Sequence, residues 1–407
     1  MARFRRRGGQ AALVLEHQTT IFERLDSFTR RAEAPHPGRP AVKLFCVVLA
    51  MMGLGLLLQA SHAATALVRT SEFREEVSQQ ATFRLIALGV LLLGYRLGPA
   101  LLRPLLPLLV LLSAFMLIAC WIPGIEASEN GSHRWIKVVG TNMTLQPSEI
   151  ARVFLVLWVA DRCTRLGPHL VDLRRGVAPI LAVGLFFVAL IGLETDLGGA
   201  LVFLFVFLFT WFVGGASFAH FTGSIASIGG AALLVAISSV EYIRGRIDVW
   251  LGHATNDQVS SSISALGSGG LFGNGLGQGL WRNNAMPYQD SDYVFALVGE
   301  ELGFFGMALC VSLILAFVWF SLRLVLSIRD RYAALAAFGL LLSVGLQAMI
   351  HMQVVTGLAP PKGMTLPFMS DGGTSLVVSS LAVGLALGAA RVEVGRNALT
   401  SPPDSTP

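Results

Sequence analysis

The feature that most constrains this chain is a succession of long apolar runs separated by short polar or charged segments. The runs fall at about 41–60, 83–97, 101–122, 148–165, 176–193, 197–214, 217–240, 293–322, 332–355 and 374–391. Most of them approach the roughly 20 residues that a helix needs to cross the hydrocarbon of a bilayer. The pattern predicts an all-α polytopic integral membrane protein with about ten transmembrane helices.

Composition favours the same class of protein. Of the 407 residues, 54% are hydrophobic and 14% are charged, whereas a soluble domain has about 25% charged residues. The net charge is +5, but the basic residues lie in short loops between the apolar runs, which is typical of membrane orientation and not of nucleic-acid binding. The four cysteines lie in or beside apolar runs without metal-ligand spacing, which predicts small core residues: Cys46, Cys120, Cys163 and Cys310.

Arginine placement predicts the orientation of the chain. Residues 1–40 read as an arginine-rich cytoplasmic tail without the apolar segment of a cleavable signal peptide. Residues 41–391 form the predicted transmembrane domain, and 392–407 a second cytoplasmic tail, because ten spans return the chain to its starting side. The predicted outer loops are 123–147, 241–291, which is long and precedes the eighth span, and 356–373.

The first outer motif joins Arg134 to a sequence that begins the fourth span, Gln-Pro-Ser-Glu-Ile-Ala-Arg over 146–152. Glu149 and Arg152 are three residues apart and therefore share one helix face just inside the membrane. Two interpretations stay open at this point. The two side chains form a structural ion pair, or they form a polar notch for an anionic headgroup, since arginine offers phosphate a planar fork of donors.

Two further outer residues are also open to two interpretations. Asp196 lies between two spans, where it can cap the following helix or belong to a shared polar site. Lys362, in a loop rich in proline and glycine, is either an ordinary loop lysine or a contact for an anion. The sequence contains no HExxH or His-x₃-His spacing and therefore does not indicate a zinc site.

The glycine-rich stretch 267–279 does not indicate nucleotide binding. It lacks a Gly-Lys-Ser/Thr ending and a surrounding βαβ unit. Glycine at this density predicts either a backbone that lies close to a ligand or a tight re-entrant loop.

Four carboxylates lie around the predicted start of the eighth span: Asp290, Asp292, Glu300 and Glu301. Acidic side chains at membrane depth call for a function or a partner. In a helix that begins near Asp292, Glu300 lies about 12 Å further along the axis and Glu301 points to the opposite side. We therefore predict that Asp292 meets the substrate, with Asp290 as the nearby competitor, and that Glu300 and Glu301 are structural supports.

Taken in chain order, these motifs resemble the SEDS family (shape, elongation, division and sporulation), which includes FtsW, RodA and SpoVE. The matching residues are Arg134-Trp135-Ile136, Gln146-Pro147-Ser148-Glu149, Thr195-Asp196-Leu197-Gly198, Gly269-Gly270 with Gly273 to Gly277, Ser291-Asp292-Tyr293, Glu300 to Gly303, Lys362 to Pro367 and Ser370 to Gly373. The form of the last loop is more similar to the FtsW division branch. Arg152 stands where the family usually has lysine, Asp371 where it has tyrosine, and Asp290-Ser291 where it has His-Thr.

The resemblance implies a peptidoglycan glycosyltransferase that polymerises lipid II at the outer face of the bacterial inner membrane, at the division septum. Asp292 aligns with the family's essential aspartate and would be the general base, with polyprenyl pyrophosphate leaving. The predicted substrate-binding residues are Arg134, Glu149, Arg152, Asp196, Gln258, Lys362 and Ser370.

Partners and cofactors follow from the same resemblance. The implied partners are the growing glycan strand, a class B penicillin-binding protein, other divisome membrane proteins and membrane lipids. No organic cofactor is expected, and a divalent cation, Mg²⁺ or Mn²⁺, stays open as an aid to the leaving pyrophosphate. A lipid II flippase and a non-catalytic division scaffold remain as alternatives.

Overall fold

The protein is described by a computed structural model over a defined part of the chain. The described ranges are 38–66, 70–123, 126–127, 133–137, 144–194, 196–238, 245, 248–251, 253, 257–279 and 289–400. Most of the predicted N-terminal tail, the last seven residues of the chain and the side chain of Asp290 lie outside this description.

Helices make up most of the described chain. In order they are α1 (Gly38–Ala66), α2 (Thr70–Leu102), α3 (Leu106–Ala119), α4 (Pro147–Leu166), α5 (Ala178–Leu193), α6 (Leu197–Val213), α7 (Phe218–Ser238), α8 (Asp257–Ser268), α9 (Gln289–Asp292), α10 (Val294–Ser327), α11 (Arg331–Val355) and α12 (Gly373–Thr400). Strands β1 (Ile136–Lys137) and β2 (Thr144–Leu145) pair antiparallel between α3 and α4. Each of the ten predicted spans overlaps one of these helices over most of its length.

Six helical stretches in the described part of the chain are long and apolar enough to cross a membrane. One of them, Phe73–Ala119, has 47 residues and would be about 70 Å long as one straight helix, more than twice the hydrocarbon thickness. It is interrupted at Gly98, whose φ of 63° and ψ of 164° are not helical. The predicted all-α membrane fold is confirmed, and the number of crossings stays a prediction.

Glycines bring α2 and α12 into backbone contact. A Cβ added to Gly384 would overlap the backbone of Leu91, and one on Gly388 would lie 2.8 Å from the Cα of Gly98. Small residues at such crossings let transmembrane helices approach closely enough for van der Waals packing to hold them together. The two helices therefore form a fixed pair on which α1 and α11 pack.

The segment predicted as one outer loop, 241–291, is only partly a loop. It contains α8, and its glycine-rich part then lies against α10, where Gly303 breaks the helix at a φ of 65°. The amide of Asn274 donates to the Glu300 carbonyl at 2.9 Å, and the amide of Phe304 donates to the Gly270 carbonyl at 2.9 Å. The loop thus satisfies backbone groups that the helix break leaves open.

Candidate active site

A small polar cavity lies where α4, α6, α9 and α11 meet the loop 356–372. It has a volume of about 80 Å³. Three cations and three carboxylates line it: Arg134, Arg152, Lys362, Glu149, Asp196 and Asp292. Buried charges need partners or a ligand, because removing them from water is costly.

Asp196 combines the two roles that the sequence leaves open. It is the N-cap of α6, since its Oδ1 accepts a hydrogen bond from the Gly199 amide at 2.9 Å. The same Oδ1 lies 3.4 Å from Lys362 Nζ, and the two side chains are 4% and 15% exposed. Gln146 Nε2 donates to its other oxygen at 3.3 Å. The residue therefore caps the helix and also joins three elements in one polar site.

The charges around Asp196 decide its protonation state. Burial by itself would raise the pKa of this carboxyl, but the positive charges of Lys362 and Arg134 and the Gly199 hydrogen bond hold the pKa below its usual value. Burial lowers the pKa of the Lys362 amino group, and Asp196 partly opposes that shift. The position of Lys362 also accounts for the glycine at residue 198, because a Cβ on Gly198 would overlap the Lys362 side chain.

Arg152 is incompletely paired by Glu149. Its Nη2 lies 3.9 Å from Glu149 Oε1, a long ion pair, and donates a much shorter hydrogen bond of 2.8 Å to Gln347 Oε1. In the described part of the chain, Arg152 Nε and Arg134 Nε are buried and have no acceptor. Two guanidinium donors at the cavity are therefore available to an anion, which favours the notch for an anionic headgroup over an ion pair alone.

Gln347 is a site residue that the sequence interpretation missed. It lies on α11, and besides accepting from Arg152 it donates through Nε2 to Thr365 Oγ1 and Ser375 Oγ, both at 3.1 Å. His351, one turn further along α11, contacts the Met364 carbonyl at 2.6 Å through Nδ1. The sequence could have indicated both residues, because a glutamine and a histidine inside an apolar run usually have a structural or functional partner at membrane depth.

Asp292 ends the short helix α9, and one residue, Tyr293, separates it from the start of α10. Its carboxylate lies against the backbone of Gly363, where an added Cβ would overlap Oδ2. Ser370 Oγ donates to the Ser291 carbonyl at 2.6 Å and accepts from the Leu366 amide at 2.7 Å. The loop 356–372 thus positions Asp292, and Ser370 acts on its backbone from outside the cavity lining.

The remaining predicted residues lie away from the cavity lining. Glu300 and Glu301 are fully buried in α10, and Glu301 accepts hydrogen bonds from Ser61 Oγ at 2.6 Å and from the Gly277 amide at 3.3 Å. These contacts tie α10 to α1 and to the glycine-rich loop, as a structural support would. Gln258 lies in the first turn of α8 and does not line the cavity.

Asp371, which stands where the family usually has tyrosine, lies near a positive charge. It lies close enough to Arg84 of α2 for the two charges to act on each other. Arg84 is buried and also donates from Nε to the Met52 carbonyl at 3.2 Å. The acidic residue therefore sits beside a buried cation, on the side of the loop that faces α2.

These features define a class of protein: a polytopic membrane protein whose helix bundle holds a charged cavity with unsatisfied donors for an anionic group. The family model described as cell cycle protein, FtsW/RodA/SpoVE, matches residues 41–394. The chain belongs to this family, and the predicted SEDS membership is confirmed.

Named relatives lie close to the FtsW branch. A probable peptidoglycan glycosyltransferase FtsW of Alkalilimnicola ehrlichii is 34% identical over 85% of this chain and 88% of its own. Stage V sporulation protein E of Bacillus subtilis is 34% identical over 70% of this chain and 78% of its own.

Solved structures share the fold. RodA, the rod shape determining protein of Thermus thermophilus, is similar at a TM-score of 0.62 and 25% identity, covering 86% of this chain and 95% of that chain. A chain from a structure of a peptidoglycan synthase complex that coordinates polymerization and crosslinking has a TM-score of 0.70 at 24% identity, over 86% of this chain and 96% of that chain.

Proposed function

We propose that this protein is a peptidoglycan glycosyltransferase that polymerises lipid II into glycan strands. The names of its relatives support the class of reaction. The observation that carries the proposal is the cavity, in which Asp292 shares a small volume with three cations, two of which have buried Nε donors without an acceptor among the described residues. That set suits a base beside a pyrophosphate.

The proposed reaction is a displacement at the anomeric carbon of the donor sugar. Asp292 takes the proton of the acceptor hydroxyl, whose oxygen forms the new glycosidic bond. The bond from the anomeric carbon to the pyrophosphate breaks, and polyprenyl pyrophosphate leaves with the electron pair. Arg134, Arg152 and Lys362 stabilise the negative charge that develops on the leaving oxygens. Gln347 and Glu149 hold Arg152 for this role.

The size of the cavity limits what it can contain. A pocket that encloses a drug-sized ligand has about 300–1,000 Å³, whereas this one has about 80 Å³. The cavity therefore takes the reacting groups, while the sugars, the peptide and the lipid tail extend beyond it. Apolar grooves between the helices are the proposed place for the tail.

The described residues do not fit a metal held by protein ligands. No group of three His, Cys, Asp or Glu side chains in the described part of the chain could hold one ion. Asp196 is already paired with Lys362, and Glu149 faces Arg152. Adding Mg²⁺, Mn²⁺ or a chelator to the purified protein tests whether either ion contributes to activity.

We also propose where the enzyme works and with whom. The arginine-rich loop ends would face the cytoplasm, so that the cavity opens at the outer face of the inner membrane, at the septum. A class B penicillin-binding protein would crosslink the strands, and a similar solved structure supports this pairing, since it is of a peptidoglycan synthase complex that coordinates polymerization and crosslinking. Other divisome membrane proteins and the surrounding lipids complete the proposed set of partners.

The test supplies purified full-length protein, with and without a penicillin-binding partner, with labelled lipid II in detergent. We expect a glycan ladder from wild type and a loss of about 10²–10⁴-fold in Asp292→Asn, the usual contribution of a general base. Asp330→Asn is the matched control, since Asp330 caps α11 through the Ala333 amide and asparagine caps equally well.

Two outcomes would contradict the proposal. If Asp292→Asn makes as much glycan as wild type, the assigned base is wrong. If wild type makes no ladder but moves lipid II between the leaflets of a liposome, the protein is a flippase. Activity lost equally in Asp292→Asn and Asp330→Asn would mean that the substitution damages the fold.

A further inference from the structure

A second cavity lies at the other end of the bundle, where α1 begins and α2 and α12 approach their ends. It has a volume of about 330 Å³, at the lower limit of pockets that bind small molecules, which hold about 300–1,000 Å³. Arg391, one of its lining residues, is 18 residues after Gly373 in α12. At the rise of a helix this is about 27 Å from the active-site loop.

Small side chains keep this cavity open. Leu91 and Leu387 are buried members of its lining, and Leu91 lies where Gly384 brings α12 against α2. Ala41 of α1 and Ala390 of α12 also line the cavity, and their methyl groups are too short to fill the space between the helices. Leu92 at the rim is 48% exposed. The cavity is therefore lined mainly by apolar side chains and is open at Leu92, which suits a hydrocarbon chain.

A cation stands at the mouth of the cavity. Arg391 Nη2 donates to the Arg96 carbonyl at 2.7 Å, and its guanidinium carbon lies 5.4 Å from the centre of the Tyr95 ring. These two contacts orient the guanidinium, and its other N–H groups have no acceptor among the described residues. No carboxylate is among the described residues that line the cavity. An apolar interior with a fixed cation at one end complements an acyl chain that carries an anionic headgroup.

We propose that this cavity binds one anionic phospholipid, with an acyl chain between α1, α2 and α12 and the phosphate on Arg391. The arginine-rich end of the bundle is the end predicted to face the cytoplasm, so the lipid belongs to the cytoplasmic leaflet. The chain's own N-terminal segment is a poorer occupant, because residues 1–37 contain seven Arg against four Asp and Glu and would bring more positive charge to Arg391 and Arg96.

The test uses native mass spectrometry of the delipidated full-length protein, titrated with phosphatidylglycerol or with phosphatidylcholine of the same acyl chains. Wild type is expected to bind phosphatidylglycerol more tightly. Arg391→Gln should weaken phosphatidylglycerol about 10-fold, as the loss of a charge-assisted hydrogen bond would, and leave phosphatidylcholine nearly unchanged. Arg323→Gln is the matched control. Arg323 is also an exposed arginine beside an aromatic ring, that of Trp319, and it lies near the C-terminal end of α10.

Filling the cavity tests the acyl chain. Ala390→Phe should weaken both lipids, because the ring occupies the space of the hydrocarbon. If that variant does not fold, phosphatidylglycerol with a photoreactive group on its acyl chain gives the same information on wild type. Crosslinked peptides should then map to 38–45, 91–95 and 387–391.

Three results would overturn the proposal. The first is equal binding of phosphatidylglycerol to wild type and Arg391→Gln. The second is crosslinking spread over the whole lipid-facing surface. The third is a large gain in lipid binding when residues 1–37 are deleted, because that gain would identify the N-terminal segment as the natural occupant.

Discussion

Replacing Lys362 by methionine tests whether this cation serves the fold, the substrate or both. Its Nζ lies 3.4 Å from Asp196 Oδ1, with both side chains largely buried. At that separation the attraction is about 5 kcal/mol for an effective dielectric constant near 20, before the cost of desolvating both groups. Removing one partner of a buried pair costs about 3–5 kcal/mol, because the other charge is left alone.

The loss for Lys362→Met should lie near the lower limit, at about 3 kcal/mol. Asp196 keeps its hydrogen bonds from the Gly199 amide and from Gln146, which continue to solvate the carboxylate. The double variant Lys362→Met/Asp196→Asn removes both charges while asparagine retains the helix cap. Its stability should return to within about 1 kcal/mol of wild type.

Activity separates the two roles. If Lys362 also binds the pyrophosphate, the stable double variant should still lose about 10–100-fold in glycan synthesis, the value of a charge-assisted hydrogen bond. Stability is measured by thermal unfolding in detergent and activity from a ladder of labelled lipid II. Lys43→Met is the control, since Lys43 is exposed over the Phe320 ring on α10.

Either of two results would refute this account of Lys362. A single variant as stable as wild type would show that the pair contributes nothing net to the fold. A double variant as active as wild type would remove Lys362 from the substrate contacts.

Three further changes test the neighbouring structure. Burial, helped by a nearby carboxylate, raises the pKa of Glu194 from 4.5 to about 8. The free energy of unfolding should therefore decrease as the pH rises from about 4.5 to about 8, because the carboxyl ionises more readily in the unfolded chain than in the folded protein. The unfolding temperature of wild type should therefore fall relative to Glu194→Gln between pH 5 and 8, and parallel curves would contradict it. Gly363→Ala places a methyl group on the Asp292 carboxylate and should cut glycan synthesis at least about 10-fold at nearly unchanged stability; full activity would mean that the carboxylate can move freely. Gly303→Ala forces a side chain into a glycine-only conformation against the glycine-rich loop and should cost at least about 2 kcal/mol of stability. Gly192→Ala is the control for both glycine variants and should be near neutral, because Gly192 has open space around it.

Some of the site could be predicted from sequence. The placement of Asp292, Asp196 and Lys362 outside the apolar runs follows from hydropathy, and their convergence was implied by the family resemblance. The cavity includes them together with Arg134, Glu149 and Arg152. Gln258 and Ser370 do not line it, since contact with the cavity depends on how α8 and the loop 356–372 pack.

The role of the glycine-rich stretch needed the structure. Its composition left a close approach to a ligand and a tight re-entrant loop equally open. Gly269 and Gly273 pack against the backbone of α10 itself, where added Cβ atoms would meet the Gly299 and Glu301 carbonyls. Composition reports that a backbone must approach something closely, but not which partner it approaches.

What the sequence by itself determined is the membrane fold, because the free energy of placing a helix in a bilayer is a sum over its own residues. It also determined the family, through the order of its motifs. Only the tertiary structure decided that Gln347 holds Arg152, that Gly363 lies against Asp292 and that Arg391 lines an apolar cavity at the other end. These contacts join residues far apart in the chain, so they depend on how whole helices pack and not on any local pattern.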